Sequence, residues 1–450
     1  MSNLPLLLDI RKILGKLVRY TFKIKTPFIT GQIINMKKIL FTLFCMALLS
    51  GCAVTVPTSK KGNQADNRVS LQRIISKSRF LDNGASTRIY LSIDANRNIS
   101  SSDFIKEFAF NYSLYPDYAN KQATLSSGIV VVTPENLSED DGLFTIWFDI
   151  PKPKDLYTAV ALIDIKDLKT NNKILNDCLI RFQSGKVGDY FMFFDKTGTK
   201  PLAKNFFSVQ DTVILKSLDN RSLNFKAYRY KYDFEAAISP MSTTPRSVSK
   251  SLYVDSAFAI NTNTPVVLPN EALYYFSRDT TEVYGIGIVC TDKRFPKVTR
   301  PEKLVRPLIY MSTNAETNDL YNSKEPKRTL DNYWLNITQG NQATAKRTIK
   351  AFYQRVEQAN RLFTTYKDGW KTDKGMVFII MGDPVKITRM KDKEVWTYIR
   401  ASQYSELNFT FTKRSNQFAD DHYELQRYAE YQSIWFPTVE QWRNGDVVVR

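Results

Sequence analysis

Between about residues 88 and 310, the apolar positions of this 450-residue chain recur with a period of two, in short runs with no helical stretch between them. Phe144, Ile146, Phe148 and Ile150 alternate with Thr145, Trp147 and Asp149, as a strand with one buried face requires. Similar runs lie at 88–94, 104–114, 128–133 and 174–182, and 156–165 is apolar on both faces, as a central strand would be. A second series covers 190–194, 199–202, 209–215, 223–234, 252–260, 272–276, 283–290 and 304–310. Asp195-Lys196-Thr197-Gly198 reads as a hairpin loop with its glycine late. In 223–234 the apolar phase slips from Phe225 and Ala227 to Tyr228 and Tyr230, the mark of a β-bulge. Short strands punctuated by turns predict two all-β sandwich domains of Ig-like type, 67–185 and 186–313. The first is expected to open with a short helix over 67–82, where Val69, Ile74, Ile75 and Phe80 stand among charges.

Past residue 313 the period changes. Residues 314–328 are polar and carry a proline, so they read as a linker crossing the surface. Ala345, Ile349, Phe352, Val356, Ala359 and Phe363 step by four, three, four, three and four, which draws one apolar stripe along a helix spanning about 342–366. A shorter helix at 330–337 precedes it, and strands at 376–381, 394–400 and 408–412 follow. The expectation is an α+β domain over 329–450, a helical hairpin packed on a small antiparallel sheet. Such a domain covers its own stripe and needs little from the sandwiches.

Between the long helix and the run at 376–381 lies Gly369-Trp370-Lys371-Thr372-Asp373-Lys374-Gly375. Gly369 can stop a helix in the left-handed conformation. Trp370 offers a large apolar body to lock helix against sheet. Thr372 and Asp373 can bond nearby backbone N–H groups and build a turn. Gly375 releases the chain into a strand, and Gly382-Asp383-Pro384 turns it again. This segment resembles the bacterial GWxTD-domain family of lipoproteins and secreted proteins, through Gly369, Trp370, Thr372 and Asp373. The likeness extends to Leu330-Asp331-Asn332-Tyr333-Trp334 and to the run from Gly375 to Ile380. The family often closes this region with a Gly-x-Pro-acid turn; Gly382 and Pro384 match, but Val385 stands in place of the acid. The resemblance implies a domain architecture and brings no reaction with it.

Catalytic chemistry is narrowed by a single count. The chain has one histidine, His422, too few for a Ser/His/Asp triad, a multi-histidine metal site or an H-E-x-x-H helix. Asp420-Asp421-His422 lacks a second histidine or cysteine nearby and reads as a solvated loop. Gln183-Ser184-Gly185-Lys186 lacks the leading glycine of a phosphate loop. The 24 tyrosines and 28 phenylalanines fall at strand and helix periods and are assigned to cores. Asp373 and Asp383 are the carboxylates that a glycan hydrolase would use; the expected strand between them holds them apart. No catalytic, cofactor or metal-ligating residue is therefore assigned.

The N-terminal region reads as an address. Met36-Lys37-Lys38, the apolar run at 39–49 and Ser50-Gly51-Cys52 make a secretory signal over 36–51. Leu49-Ser50-Gly51-Cys52 resembles a bacterial lipobox, which implies lipidation of Cys52 and a mature start there. Residues 1–35 then come from an upstream start codon, and 52–66 form a polar tether. Of the formal charge of +18, +7 lies in residues 1–51 and +11 stays with the remainder. That surplus favours anionic partners, an anionic glycan or lipid among them; export disfavours nucleic acid. Cys178 and Cys290, in apolar runs, are expected to be separate buried thiols. The expected role is a lipid-anchored binding or scaffold protein at the outer membrane, facing the periplasm, with an envelope protein as partner. The alternative is a carboxylate-dependent hydrolase of envelope glycan or peptidoglycan.

Overall fold

The structure is a computed structural model that describes residues 75–95, 98–119, 122–140, 142–231, 234–243, 252–399 and 406–447. All of them belong to one unit running from Asp66 to Arg450. The expected start at 36, the signal, Cys52 and the tether lie outside the described residues. The fold is mostly β, in several small sheets, with helices concentrated toward the C-terminus. Among the described residues no helix is long and apolar enough to cross a membrane.

The first group comprises β1 (Ile75–Asn83), β2 (Ser86–Asp94), α1 (Ser101–Glu107), β3 (Phe108–Tyr115), β4 (Ser126–Val130), β5 (Leu137–Asp140), β6 (Leu143–Pro151), β7 (Thr158–Asp167) and β8 (Lys173–Arg181). They form two antiparallel sheets ordered β1-β2-β6-β5 and β4-β3-β7-β8. Ile89, Leu91, Phe144 and Ile146 from one meet Phe110, Ile163, Ile165 and Ile180 from the other in a common core. The run 156–165 is indeed an inner strand, β7. Two expectations fail here. The helix expected over 67–82 is strand β1 from residue 75: Phe80 enters the core while the charges at 77 and 79 take the opposite face, a period of two disguised by its polarity. Residues 104–107 belong to α1, whose Ser100 cap accepts a hydrogen bond from the Asp103 N–H at 3.1 Å.

The second group comprises β9 (Met192–Phe194), β10 (Phe206–Ser208), β11 (Thr212–Lys216), β12 (Asn224–Tyr230), β13 (Val254–Asn261), β14 (Pro265–Val267), β15 (Ala272–Ser277) and β16 (Ile286–Thr291). The sheets run β14-β11-β9 and β10-β16-β15-β12-β13, antiparallel except for β10 with β16. Phe193, Leu215, Phe225, Phe276 and Ile288 fill the core. The expected bulge is present as a register shift between Arg229 and Tyr230.

The C-terminal group comprises α2 (Pro301–Leu304), α3 (Asn314–Tyr321), α4 (Pro326–Ile337), α5 (Gln342–Phe363), α6 (Asp373–Met381), β17 (Lys386–Arg389), β18 (Lys393–Ile399), β19 (Glu406–Lys413), β20 (Tyr423–Leu425) and α7 (Gln432–Asn444). The sheet is β17-β18-β19-β20. The expected stripe is buried on α5 through Ala345, Phe352, Val356 and Ala359. Three readings change. The run 304–310 is α2 followed by a 3-10 turn, Arg306–Tyr310. The linker 314–328 is α3 and the first turn of α4. Thr313 and Glu316 cap α3 reciprocally, Leu320 is buried, and Arg443 from α7 clasps Glu316 at 2.8 Å. The strand expected at 376–381 is helix α6. Met376, Val377, Phe378, Ile379 and Ile380 are all buried, and a run apolar all round reads alike as a buried helix or a buried strand.

The C-terminal group is not self-contained. Its core takes in Val305, Leu308, Tyr310 and Met311 from before α3. The β19–β20 connection lays Phe418 edge-on against Tyr275 and Tyr230, with centroids 5.4 and 5.3 Å away. Gly287 of β16 lies so close beneath that any Cβ would run into the Phe418 carbonyl.

Candidate functional site

The motif forms a corner between α5 and α6. After α5 ends, Gly369–Lys371 makes one 3-10 turn. Gly369 does not adopt the left-handed conformation expected of it. Its lack of a side chain lets the corner press onto α5, since a Cβ would collide with the Ala359 carbonyl oxygen. The Gly369 N–H donates to Thr364 Oγ1 at 3.0 Å, and the Trp370 N–H donates to Asn360 Oδ1 at 3.0 Å. Asn360, fully buried, donates its own amide to the Pro296 carbonyl at 3.0 Å. Trp370 is buried edge-on to Tyr310, whose hydroxyl donates to the Trp370 carbonyl at 2.7 Å. Burial, aided by the charge of Asp373, pushes that hydroxyl well above its ordinary value.

Thr372 is the N-cap of α6. Its hydroxyl donates to the Gly369 carbonyl at 2.7 Å and accepts from the Gly375 N–H at 3.0 Å. Gly375 does not release a strand; it sits in the first turn of α6, where a Cβ would strike the Gly369 carbonyl. Asp373 builds no local turn. One carboxylate oxygen accepts from the Leu425 N–H at 2.7 Å, and the other accepts from Arg427 Nη2 at 2.6 Å. Arg427 also donates to the Leu425 carbonyl at 3.1 Å. The motif therefore ties α5, α6 and the strand β20 into one joint.

The family model for the GWxTD domain matches residues 272–444. The chain carries a GWxTD domain. A search of curated proteins gives no match. The matched GWxTD segment starts at β15, ahead of the boundary at 329 read from the sequence. It thereby includes the strands beneath Phe418 and the Tyr310 turn that packs on Trp370.

At the far end of α6 the GWxTD domain turns at Gly382, φ +78°, as expected. Tyr398 donates to the Gly382 carbonyl at 2.8 Å. Val385, in place of the family's acid, is 52% exposed. Asp373 opens α6 and Asp383 lies beyond its last residue, Met381, so the length of the helix, about 12 Å at 1.5 Å per residue, stands between them.

A chain of charges leads away from the motif. Lys374 pairs with Glu394 at 2.8 Å and lies 3.6 Å from the centre of the Tyr423 ring. Glu394 also accepts from the Trp396 indole at 2.6 Å. Arg389 reaches Glu394 at 3.4 Å and Asp177 of β8 at 3.0 Å, which joins the GWxTD sheet to the first group. Burial opposes ionisation of Glu394, but Lys374 and Arg389 outweigh it and hold the carboxyl at about 2. Burial, only partly offset by Glu394, holds Lys374 below its ordinary value.

Asp420-Asp421-His422 is more than a solvated loop: Asp420 stays exposed, but the segment is ion-paired to the first group. Asp420 accepts from Arg181 at 2.7 Å and from Lys186, and Asp421 pairs with Lys77 at 2.8 Å. His422 stands edge-on to Tyr366 with centroids 5.3 Å apart, and its Nε2 is 3.6 Å from Glu424. Cys178 and Cys290 are separate buried thiols, as expected; burial pushes each up to about 12. Among the described residues, no group of three or more His, Cys, Asp or Glu is placed to hold a metal ion. A cavity between the first group, the segment 203–206 and the end of α5, lined by Lys77, Ser92, Asp94, Asn205, Arg361 and Thr364 among others, has room for about 30 Å³.

Sequence reasoning missed Asn360, Tyr310, Glu394 and Arg427. Asn360 carried a signal: a polar residue one turn beyond Val356 on an apolar stripe. The other three are joined to the corner by tertiary contacts that no local pattern encodes.

Proposed function

We propose that this is a lipid-anchored cell-envelope protein, held at the periplasmic face of the outer membrane through a lipid on Cys52, whose GWxTD domain is a binding or scaffold module for another envelope protein. In this reading the two β groups are Ig-like sandwiches, the second of which shares β15 and β16 with the module. The observation that carries the proposal is the use of the motif: the Gly369 and Trp370 amides, the Trp370 carbonyl, the Thr372 hydroxyl and both Asp373 oxygens are all bonded within the chain. A motif consumed this way supports a rigid joint, which suits presentation of a surface. The lipobox-like Leu49-Ser50-Gly51-Cys52 supports the anchor.

The test has two parts. Wild-type protein labelled in cells with an alkyne fatty acid should carry label that Cys52→Ser and globomycin both abolish; label on Cys52→Ser removes the anchor. Crosslinking in intact envelopes should then yield a defined partner that Trp370→Ala loses. A crosslink pattern unchanged by Trp370→Ala would count against the GWxTD domain as the binding module.

A further inference from the structure

The outer face of the sheet β4-β3-β7-β8 is covered at one end only. Phe110, Ile163 and Ile180 point from this sheet into the core of the first group, and the alternate residues point away. The register sets those residues in rows across the strands. Ile129, Asn111, Asp164 and Leu175 form one row, and Lys166 and Lys173 stand opposite each other in the next. The row on the other side ends in Asp177, and there the face is occupied. Asp177 accepts from the Tyr118 hydroxyl at 2.7 Å and from Arg389 of the GWxTD sheet at 3.0 Å. Toward the β7–β8 turn the face is bare: Ile129 is 80% exposed, Val131 70%, and Leu168 and Leu175 52% each.

Single exposed aliphatics are ordinary, but four at one end of one face mark a contact surface. Lysines stand among them. Lys173 pairs with Asp164 at 3.0 Å and Lys169 with Glu107 at 3.4 Å. Among the described residues, Lys166 has neither an ion pair nor a hydrogen bond. It lies directly across from Lys173, a like-charge pairing that disfavours the free sheet and that an anion relieves. Lysine stems lie along apolar surface while their ammonium groups stay at a polar boundary. A bilayer surface accepts both kinds of group, the aliphatics at the acyl boundary and the ammonium groups among anionic headgroups.

The point where the chain enters the fold singles out this occupant. β1 begins at Ile75. The next residue, Ser76, accepts from the Asn176 amide through its carbonyl at 3.2 Å and its hydroxyl at 2.9 Å, and Asn176 follows Leu175. The chain therefore enters beside the bare end of the face. Ile75 is 23 residues on from Cys52, a length that spans at most about 80 Å.

We propose that the bare end of this face, with Ile129, Val131, Lys166, Leu168, Lys173 and Leu175, docks on an anionic lipid surface. The choice of occupant rests on the reading of Cys52 as the anchor, since a lipid there ties this edge of the molecule to a bilayer.

The test uses the full chain without its signal, with Cys52→Ser, so that no attached lipid contributes. This chain should cosediment with vesicles of phosphatidylglycerol and phosphatidylethanolamine, stay in the supernatant with phosphatidylcholine vesicles, and bind less as salt rises. Lys166→Gln with Lys173→Gln should weaken binding about 25-fold, about fivefold for each lysine. Ile129→Ser with Leu175→Ser should weaken it about tenfold or more. All four positions are exposed, so both double variants should melt like wild type. Tyr157→Ser, at the opposite end of β7 and 71% exposed, should bind like wild type. The failure of this proposal and that of the anchor are separable. A soluble chain that binds these vesicles supports the face even if wild-type protein takes up no fatty-acid label. A soluble chain that ignores them overturns the face even if the label is present. The proposal is also overturned if both double variants bind like wild type. So too if the wild-type chain self-associates in sedimentation velocity and Ile129→Ser with Leu175→Ser abolishes that, which assigns the face to a second copy.

Discussion

Asp373→Asn separates a structural joint from a reactive site. The carboxylate is 10% exposed and its partner Arg427 is 17% exposed, at 2.6 Å. Its two oxygens accept from two donors, the Leu425 N–H and Arg427 Nη2. An asparagine keeps the shape but owns one acceptor, so in either orientation its amide faces a donor. One charge-assisted bond is lost, worth about 1.5–3 kcal/mol, and one buried donor is orphaned, at about 1–3 kcal/mol. The expected loss is about 3 kcal/mol, in line with breaking a buried pair from one side. Arg427→Met should cost a similar amount, and the double variant less than the sum, with a coupling of about 2 kcal/mol. Urea unfolding followed by tryptophan fluorescence reads this directly, because five of the six tryptophans, Trp334, Trp370, Trp396, Trp435 and Trp442, lie in the C-terminal group and only Trp147 lies outside it. The reasoning fails if Asp373→Asn shifts stability by less than about 0.5 kcal/mol, the range of an uninvolved surface position. If the same variant then abolished partner crosslinking, Asp373 would be a working group and not a clasp.

Trp370→Ala empties a buried aromatic site against Tyr310 and should destabilise by about 3–5 kcal/mol in the same assay. Gly287→Ala places a methyl group against the Phe418 backbone and should cost about 1–3 kcal/mol by overpacking; Phe418→Ala in the same chain should not restore it, because the obstacle is main chain. Glu394, whose carboxyl falls from an ordinary 4.5 to about 2, contributes stability that is fully present above pH 4.5 and is lost as the pH falls through 2. The loss is about 3 kcal/mol at about 1.4 kcal/mol per unit, and Glu394→Gln should flatten that part of an acid-unfolding curve. A fragment of residues 326–450, which lacks Tyr310, Leu308 and the strands beneath Phe418, should show no cooperative melt by circular dichroism, whereas 186–450 should show one.

What could be read from the sequence follows from where water lies. α5 has one wet and one dry face, and along β6 polar positions alternate with the buried Phe144, Ile146 and Ile150, so the stripe from Ala345 to Phe363 and the alternation disclosed both type and orientation. α6 has no wet face among Met376–Ile380, and without that contrast the period is erased. The cap at Thr372, three residues before Gly375, is the remaining signal, and a threonine at that spacing serves a turn as readily as a helix start. β1 and α3 failed for the opposite reason. They are polar enough to look solvated, and their order comes from partners remote in sequence: Asp421 for Lys77, Arg443 for Glu316. The motif itself was legible as a joint, because glycine, tryptophan and a capping threonine at this spacing have few other uses. What it joins was not legible: Asn360, Leu425 and Arg427 lie 10, 52 and 54 residues from their partners in the corner.

The matched GWxTD segment begins at residue 272, and the packing explains why it extends so far back. β15 and β16 are inner strands of the second β sheet, so hydrogen bonding assigns them to the second group. Their outer face, through Tyr275, Val289 and Leu273, shares a cluster with Phe418, so side-chain burial assigns them to the C-terminal group. A strand with two dry faces belongs to both neighbours, and no boundary drawn through loops can separate them. The break at 313 marked by polarity is real as a change of period, and side chains from both sides of it share one core. The ionic seam lies elsewhere, between the first group and the GWxTD sheet. There the contacts are Asp177, Arg181 and Lys77 against Arg389, Asp420 and Asp421, which salt screens far more readily than a shared apolar cluster.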